Sequence, residues 1–180
     1  MTKKLALCAA LSAALAICAA GASPVYRPGE WGFGAHFRQG FAAREDIHNS
    51  RSVAVTLKAP EMPIFWGLSY GFGPHWDVVG VQGDAYLLGL WLAPGLRLFA
   101  GLGAYASFMR HDSGIEGESY TAVGFGGRLP VGLSLRPVRS LEFHGAAVPW
   151  LGSWARVFRD PGNMGLRHGV GVEVGARIWF

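Results

Sequence analysis

The sequence predicts an all-β protein, an eight-stranded antiparallel up-and-down transmembrane β-barrel that follows a cleaved signal peptide. Three observations predict this fold. Apolar residues alternate with polar or small ones along eight segments, the chain begins like an exported protein, and glycine is abundant, with 27 in 180 residues. Alternation with a period of two is typical of a strand whose two faces meet different surroundings. In a membrane barrel one face meets lipid and the other meets the lumen.

The alternation is clearest in the C-terminal segment, residues 165–180. Going back from the end of the chain, every second residue is apolar: Phe180, Ile178, Ala176, Val174, Val172 and Val170. Seven earlier segments repeat the pattern, and we interpret all eight as strands: 31–38, 53–58, 64–70, 76–92, 96–108, 120–135, 141–150 and 165–180.

The fourth of these segments is the least regular. Both of its faces are apolar from Tyr86 to Leu92, so the sequence does not decide which of these residues face the lumen. Polar residues interrupt it earlier, and we expect a β-bulge near Gly83, because bulges and glycines often occur together in bent strands.

The N-terminus predicts a signal peptide, residues 1–22. Lys3 and Lys4 precede the apolar run 5–20, and Ala20-Gly21-Ala22 fits a cleavage site with small residues. One alternative is a membrane anchor, although the run is short for a span of about 20 residues. No later apolar run is long enough for a transmembrane helix. The barrel domain is predicted to occupy residues 23–180.

A lipoprotein signal at Cys18 is a second alternative, for which bulky Ile17 is a poor neighbour. Cleavage after Ala22 would remove both cysteines of the chain, so the mature protein would have neither a disulfide nor a thiolate metal site. It would also lower the net charge from +4 to +2, because Lys3 and Lys4 leave with the signal. Such a small charge predicts no nucleic-acid partner.

The connections between the predicted strands differ in length at the two ends of the barrel. Three are short, at 59–63, 93–95 and 136–140, and three are long, at 39–51, 110–119 and 151–164, with 71–75 a short exception. In outer-membrane barrels the long loops face the outside of the cell. Ordinary solvated loops are the favoured interpretation of their charged and aromatic residues, and a contact surface for a host or envelope protein is the alternative.

The polar faces of the strands predict a lumen filled with charged side chains. An eight-stranded barrel has an interior barely wide enough for side chains. Buried charges need partners, and we expect Arg128 and Arg177 to pair with Glu142 and Glu173. A narrow pore or gate is the alternative to a structural role. The predicted network consists of Arg97, Arg128, Glu142, His144, Glu173 and Arg177.

No catalytic, cofactor-binding or metal-binding residues are predicted. His144, two residues after Glu142, is the best enzymatic candidate, because some barrel deacylases use a His, a Ser two residues later and a Glu. Ala146 stands in the place of that serine and no other serine is near on the same strand face, so the nucleophile is missing. Ser134 and Ser153 are poorer substitutes. The six histidines are scattered singly, without the spacing of metal ligands.

Residues 124–150 carry a resemblance. The run Arg128-x-Pro130-x-Gly132-Leu133-Ser134 and the aromatic-rich strand near Pro149 resemble a strand-turn-strand of small OmpA-like barrels in an uncharacterised spirochaetal family. The segments WGFGAHF and GVGVEVGARIWF are similar to that family too. The resemblance implies a surface-exposed eight-stranded outer-membrane barrel with no established activity. Host-protein binding has been proposed for such proteins. The shared motifs build barrels and specify no chemistry.

The sequence therefore predicts a non-enzymatic outer-membrane barrel with a structural or surface-interaction role. Its expected partners are outer-membrane lipid, the barrel-assembly machinery, which would engage the last strand ending in Phe180, and a host or envelope protein at the three long loops. Two functional alternatives stay open. One is a narrow small-solute channel of the OmpW kind, and the other is a lipid-modifying enzyme that uses His144 and Glu142.

Overall fold

The computed structural model describes residues 29–42, 50–73, 75–112, 119–158 and 165–180, so the predicted signal peptide lies outside the described residues. The described chain forms nine strands: β1 (Gly32–Ala42), β2 (Arg51–Lys58), β3 (Ile64–Gly73), β4 (Trp76–Ala93), β5 (Leu96–His111), β6 (Tyr120–Arg128), β7 (Val131–Val138), β8 (Leu141–Phe158) and β9 (Gly165–Trp179).

The sheet closes on itself. Neighbouring strands pair antiparallel around the sheet, and β9 returns to pair with β1 from Gly32 opposite Trp179 to Ala42 opposite Gly169. Two further backbone hydrogen bonds extend this seam, from Trp31 N to Phe180 O (2.9 Å) and from Phe180 N to Trp31 O (3.0 Å). The predicted antiparallel up-and-down barrel is confirmed.

The sixth predicted strand, 120–135, is wrong in one respect, because it is divided into β6 and β7. Both strands lie between β5 and β8. The break falls at Leu129-Pro130, where proline has no N–H to give to a ladder. Backbone hydrogen bonds continue across it, from Leu129 N to Pro149 O (2.9 Å) and from Gly101 N to Pro130 O (2.8 Å). β6 and β7 are thus two halves of one barrel strand, and the barrel has eight strand positions.

The long connections are shorter than the sequence predicts. In the predicted loop 39–51 strand β1 continues to Ala42, in 110–119 strand β5 continues to His111, and in 151–164 strand β8 continues to Phe158. The extension of β8 pairs with β6 on one side and β9 on the other. Strand pairing on both sides stabilises this segment although its side-chain alternation is weak, because cross-strand neighbours matter more than local propensity.

The expected bulge in β4 exists but not near Gly83. Tyr86 pairs with Gly101 and Leu88 pairs with Ala100, so Leu87 is the extra residue. A bulge places two successive residues on the same side of a strand. Leu87 and Leu88 therefore both belong to the outer face, which explains why alternation fails after Tyr86.

The barrel has an apolar outside and a polar inside. Leu68 and Val174 are 58% and 61% exposed, whereas Lys58 and Arg128 are 0% and 1% exposed. The short connections after β2, β4 and β7 lie at the end where the seam joins Trp31 to Phe180. We call this the short-turn end and the opposite one the long-loop end. None of the described segments forms a helix of the length and apolarity that a bilayer crossing would need.

Candidate functional site in the lumen

Arg128 is the centre of the larger of two polar clusters inside the barrel. Its Nη2 donates to both carboxylate oxygens of Glu173, at 2.8 and 2.9 Å. Its Nε lies 2.9 Å from Oδ1 of Asp84, outside hydrogen-bond geometry, and its Nη1 donates to Oε1 of Gln82. One guanidinium therefore joins β4, β6 and β9 across the lumen. A planar group with several fixed donors is suited to such bridging.

Two further side chains of β1 lie near Glu173. Arg38 Nε lies 3.8 Å and His36 Nε2 lies 4.0 Å from Glu173 Oε1. Arg38 and Arg128 together balance the charges of Asp84 and Glu173. Such balance matters, because an unpaired charge inside a barrel is strongly destabilising.

Glu142 is the centre of the second cluster, nearer the short-turn end. Its carboxylate accepts hydrogen bonds from Ser134 Oγ (2.7 Å), Trp179 Nε1 (2.6 Å) and Arg177 Nη1 (3.4 Å). All four side chains are buried, at 3–6% exposure. Three donors, one from β7 and two from β9, therefore meet on one carboxylate of β8.

The structure brings four of the six residues of the predicted network into these clusters. His144 lies beside them, with its ring centroid 6.2 Å from that of His36. Arg128 pairs with Glu173, and Arg177 with Glu142. Arg97 lies apart, with its guanidinium 4.0 Å from the ring centroid of Trp91 near the β4–β5 turn. Their structural role stays a prediction.

Asp84 and Gln82 belong to the larger cluster but are missing from the predicted network. Both lie on the uncertain fourth strand. The signal that could have found them is the spacing Gly80, Gln82 and Asp84, which continues the small and polar face of a strand. This spacing is hard to recognise in the sequence, because the bulge after Tyr86 shifts the alternation of the strand by one residue.

His144, the enzymatic candidate, lies opposite Ser134 in the register of β7 and β8. Ser134, which the sequence offers only as a poorer substitute for the missing serine, is thus brought next to His144 by the neighbouring strand and not by the same one. Ser134 Oγ donates to Glu142 and not to the imidazole. Ser134, Glu142 and His144 are 4%, 6% and 7% exposed and face the lumen. Their side chains therefore point away from the apolar outer face.

Aromatic side chains fill the lumen at the short-turn end. Tyr86 packs against Phe65 and Phe99 with ring centroids 4.5 and 4.8 Å apart. Arg177 lies over Phe65, 4.4 Å from its ring centroid. Next to them, Arg136 Nη2 forms an ion pair with Glu30 Oε2 at 3.4 Å. The described interior at this end is therefore occupied by aromatic rings and paired charged side chains.

A cavity of about 110 Å³ lies on the other side of the Arg128 cluster, towards the long-loop end. Arg38 and Gln82 form part of its lining. Among the described residues, no group of three or more His, Cys, Asp or Glu side chains is arranged to hold a metal ion.

The closed sheet, the apolar outside and the polar lumen define a small β-barrel of the outer-membrane type. The N-terminal β-barrel domain of Pseudomonas aeruginosa OprF is similar, with 12% identity and a TM-score of 0.52 over 85% of this chain and 98% of that domain. Neisserial surface protein A is similar too, with 9% identity and a TM-score of 0.51 over 83% of this chain and 95% of that one.

At these identities the likeness concerns the fold alone. No family model matches the sequence, and no curated protein is significantly similar to it. The resemblance to small outer-membrane barrels is thus supported at the level of the fold, and its spirochaetal part stays a prediction.

Proposed function

We propose that this protein resides in the outer membrane as a closed, non-enzymatic barrel with a structural or surface-interaction role. One observation carries the proposal, namely that the protein is apolar outside and charged inside. Large apolar side chains cover the outer face of every strand position, while charged side chains are buried in the lumen. A soluble protein rarely exposes an apolar surface of this extent. A bilayer provides the apolar surroundings that such a surface requires.

The lumen supports a structural role for the charged residues. The Arg128 and Glu142 clusters connect β1, β4, β6, β7, β8 and β9 through side chains. Because strand register has a period of two, a slip by one residue would turn these charges towards lipid. Matched charges inside the barrel therefore oppose wrong registers as well as stabilising the right one.

The experiment that tests the proposal is heat-modifiability. The chain from Ser23 to Phe180 is refolded in detergent and run on a gel unheated and boiled, with circular dichroism alongside. We expect a mobility shift and a β spectrum, because closed barrels resist detergent until they are heated. Without a shift, and with solubility in plain buffer, the protein would be a soluble β-domain and the proposal would fail.

A narrow channel of the OmpW kind is the alternative that the filled interior disfavours. Arg128, Lys58, Val148 and Pro130 have almost no exposed surface. Buried side chains in the described part of the lumen leave little room for a water path past the Arg128 cluster and the ring cluster of Phe65, Tyr86 and Phe99. Recordings in planar bilayers are the test, and steady single-channel conductance by the refolded protein would favour the channel.

A lipid-modifying enzyme is the second alternative. The test is a deacylation assay on the wild-type protein and on the variants Glu142→Ala, His144→Ala and Ser134→Ala. We expect no activity above background, because these three groups face the lumen. Activity that is lost in all three variants while the barrel stays folded would make the protein an enzyme.

We also propose that the protein belongs to the spirochaetal family of small barrels and that it has three kinds of partner. We expect outer-membrane lipid around the apolar face, the barrel-assembly machinery at the strand that ends in Phe180, and a host or envelope protein at the loops within 39–51, 110–119 and 151–164. The host-protein part would fail if deletion of the loop segments left binding of the refolded protein to host surfaces unchanged.

A further inference from the structure

The cavity at the long-loop end has a composition that the structural role does not require. Four serines and three tryptophans contribute to its lining, together with Tyr105. Its volume of about 110 Å³ exceeds the roughly 10–15 Å³ that one water molecule needs by this measure. The space therefore suits a ligand of several heavy atoms and not a single water or ion.

The charged residues that the structure describes in the cavity lining are of one sign. Arg38 and Arg51 line it, and no Asp or Glu is among the described residues of its lining. The side chain of Arg38 is 20% exposed, and its ion pair with Glu173 is long, at 3.8 Å. Glu173 uses both carboxylate oxygens for Arg128. Arg38 thus retains donors for an anionic group in the cavity.

Two more donors lie in the cavity wall without protein acceptors. The Tyr105 hydroxyl and the Trp154 indole N–H are buried and have no hydrogen-bond partner among the described residues. Buried donors are nearly always paired in folded proteins. A ligand with acceptor oxygens in the cavity would satisfy these groups.

Glycines of the neighbouring strands allow the large side chains to lie flat against the barrel wall. A Cβ at Gly124 would come within 2.6 Å of the Trp154 ring, and one at Gly171 within 2.5 Å of Arg38 Nε. With alanine at these positions, the ring and the guanidinium would be pushed into the space. Glycine at these two positions therefore leaves room for the large side chains that border the cavity, so that the cavity stays open.

We propose that this cavity binds a sugar acid of monosaccharide size. Its carboxylate would lie at Arg38, its hydroxyls at the serines and the orphaned donors, and its ring against the tryptophan faces. A purely apolar ligand would leave Arg38 and the orphaned donors unpaired, and an inorganic anion would not use the aromatic walls. A carboxylate, several oxygens and one flat apolar face together match this lining.

The test is a titration of the refolded protein, Ser23 to Phe180, with glucuronate, followed by calorimetry and tryptophan fluorescence. Glucose is the matched neutral probe. We expect saturable binding of glucuronate, with glucose at least about tenfold weaker, the loss expected for one charge-assisted hydrogen bond. Binding of the methyl glycoside of glucuronate, compared with that of glucuronate itself, shows whether the natural ligand is free or part of a glycan. Equal binding indicates the terminal residue of a glycan, and weaker binding indicates a free sugar acid.

Two variants locate the site. Arg38→Gln should weaken glucuronate binding by about tenfold or more, and Ser107→Leu should block the cavity without a change in charge. Arg139→Gln is the control, because Arg139 has the same charge and its side chain is 81% exposed at the short-turn end. Heat-modifiability shows whether each variant is folded, independently of binding. Absent or non-saturable binding, equal binding of glucose, or unchanged affinity in folded Arg38→Gln would overturn the proposal.

Discussion

Arg128 and Glu173 form an ion pair inside the barrel, in which the guanidinium Nη2 lies 2.8 and 2.9 Å from the two carboxylate oxygens. Arg128 comes from β6 and Glu173 from β9, and β8 lies between these strands. The pair therefore spans β8 on the lumen side of the sheet and is not a contact between adjacent strands. Asp84 and Arg38 add a second carboxylate and a second guanidinium around it.

Replacing one partner of this ion pair should destabilise the barrel more than replacing all the charged partners together. We expect Arg128→Met to lower the free energy of unfolding by about 3–5 kcal/mol, because Glu173 and Asp84 would remain buried without their cation. The triple change Arg128→Met, Glu173→Gln and Asp84→Asn should recover part of the loss. Urea unfolding of the refolded barrel in vesicles measures both. A single variant as stable as the wild type would contradict the structural role of the pair.

An arginine on the outer face should destabilise the barrel according to its depth in the membrane. Leu68 lies in the middle of β3, whereas Leu166 lies next to the first residue of β9 at the long-loop end, and both are exposed, at 58% and 70%. Leu68→Arg should cost about 2–4 kcal/mol and Leu166→Arg about 0–1 kcal/mol in lipid. Unfolding in vesicles measures the difference. Equal small effects at the two positions would indicate a soluble barrel.

One glycine of β1 should not tolerate a methyl group. A Cβ at Gly34 would lie 2.5 Å from the carbonyl oxygen of Ala176, a backbone atom of β9 at the closing seam. Gly34→Ala should therefore lower stability by about 1–3 kcal/mol through overpacking. Gly165→Ala is the matched control, because a Cβ there meets nothing within 4 Å. Chemical unfolding measures both changes, and similar losses in the two variants would contradict this explanation.

The side chain of Phe180 should matter for assembly and little for stability. Its backbone closes the seam with Trp31, while its ring is 70% exposed. Phe180→Ala should leave unfolding of the refolded barrel nearly unchanged and should lower the amount of protein inserted in the outer membrane of cells. Phe143→Ala, a change of another exposed outer phenylalanine, is the control. Equal insertion of both variants would argue against recognition of the last residue.

The sequence by itself determined the strands and the two faces of each, because alternation with a period of two follows directly from the geometry of a single strand. It also determined which charges face inward on regular strands, among them Arg128, Glu142, Glu173 and Arg177. It indicated the unusual region of β4, where Tyr86–Leu92 is apolar on both faces.

Only the tertiary structure decided the features that depend on pairing between strands. The bulge at Leu87, the break at Leu129-Pro130 and the extension of β8 to Phe158 are set by which backbone groups meet across the ladder. The partners of Arg128, and the position of Ser134 opposite His144, follow from strand order and register. Those long-range relations come from closure of the barrel, because no local pattern in a chain records which residue of a distant strand lies opposite.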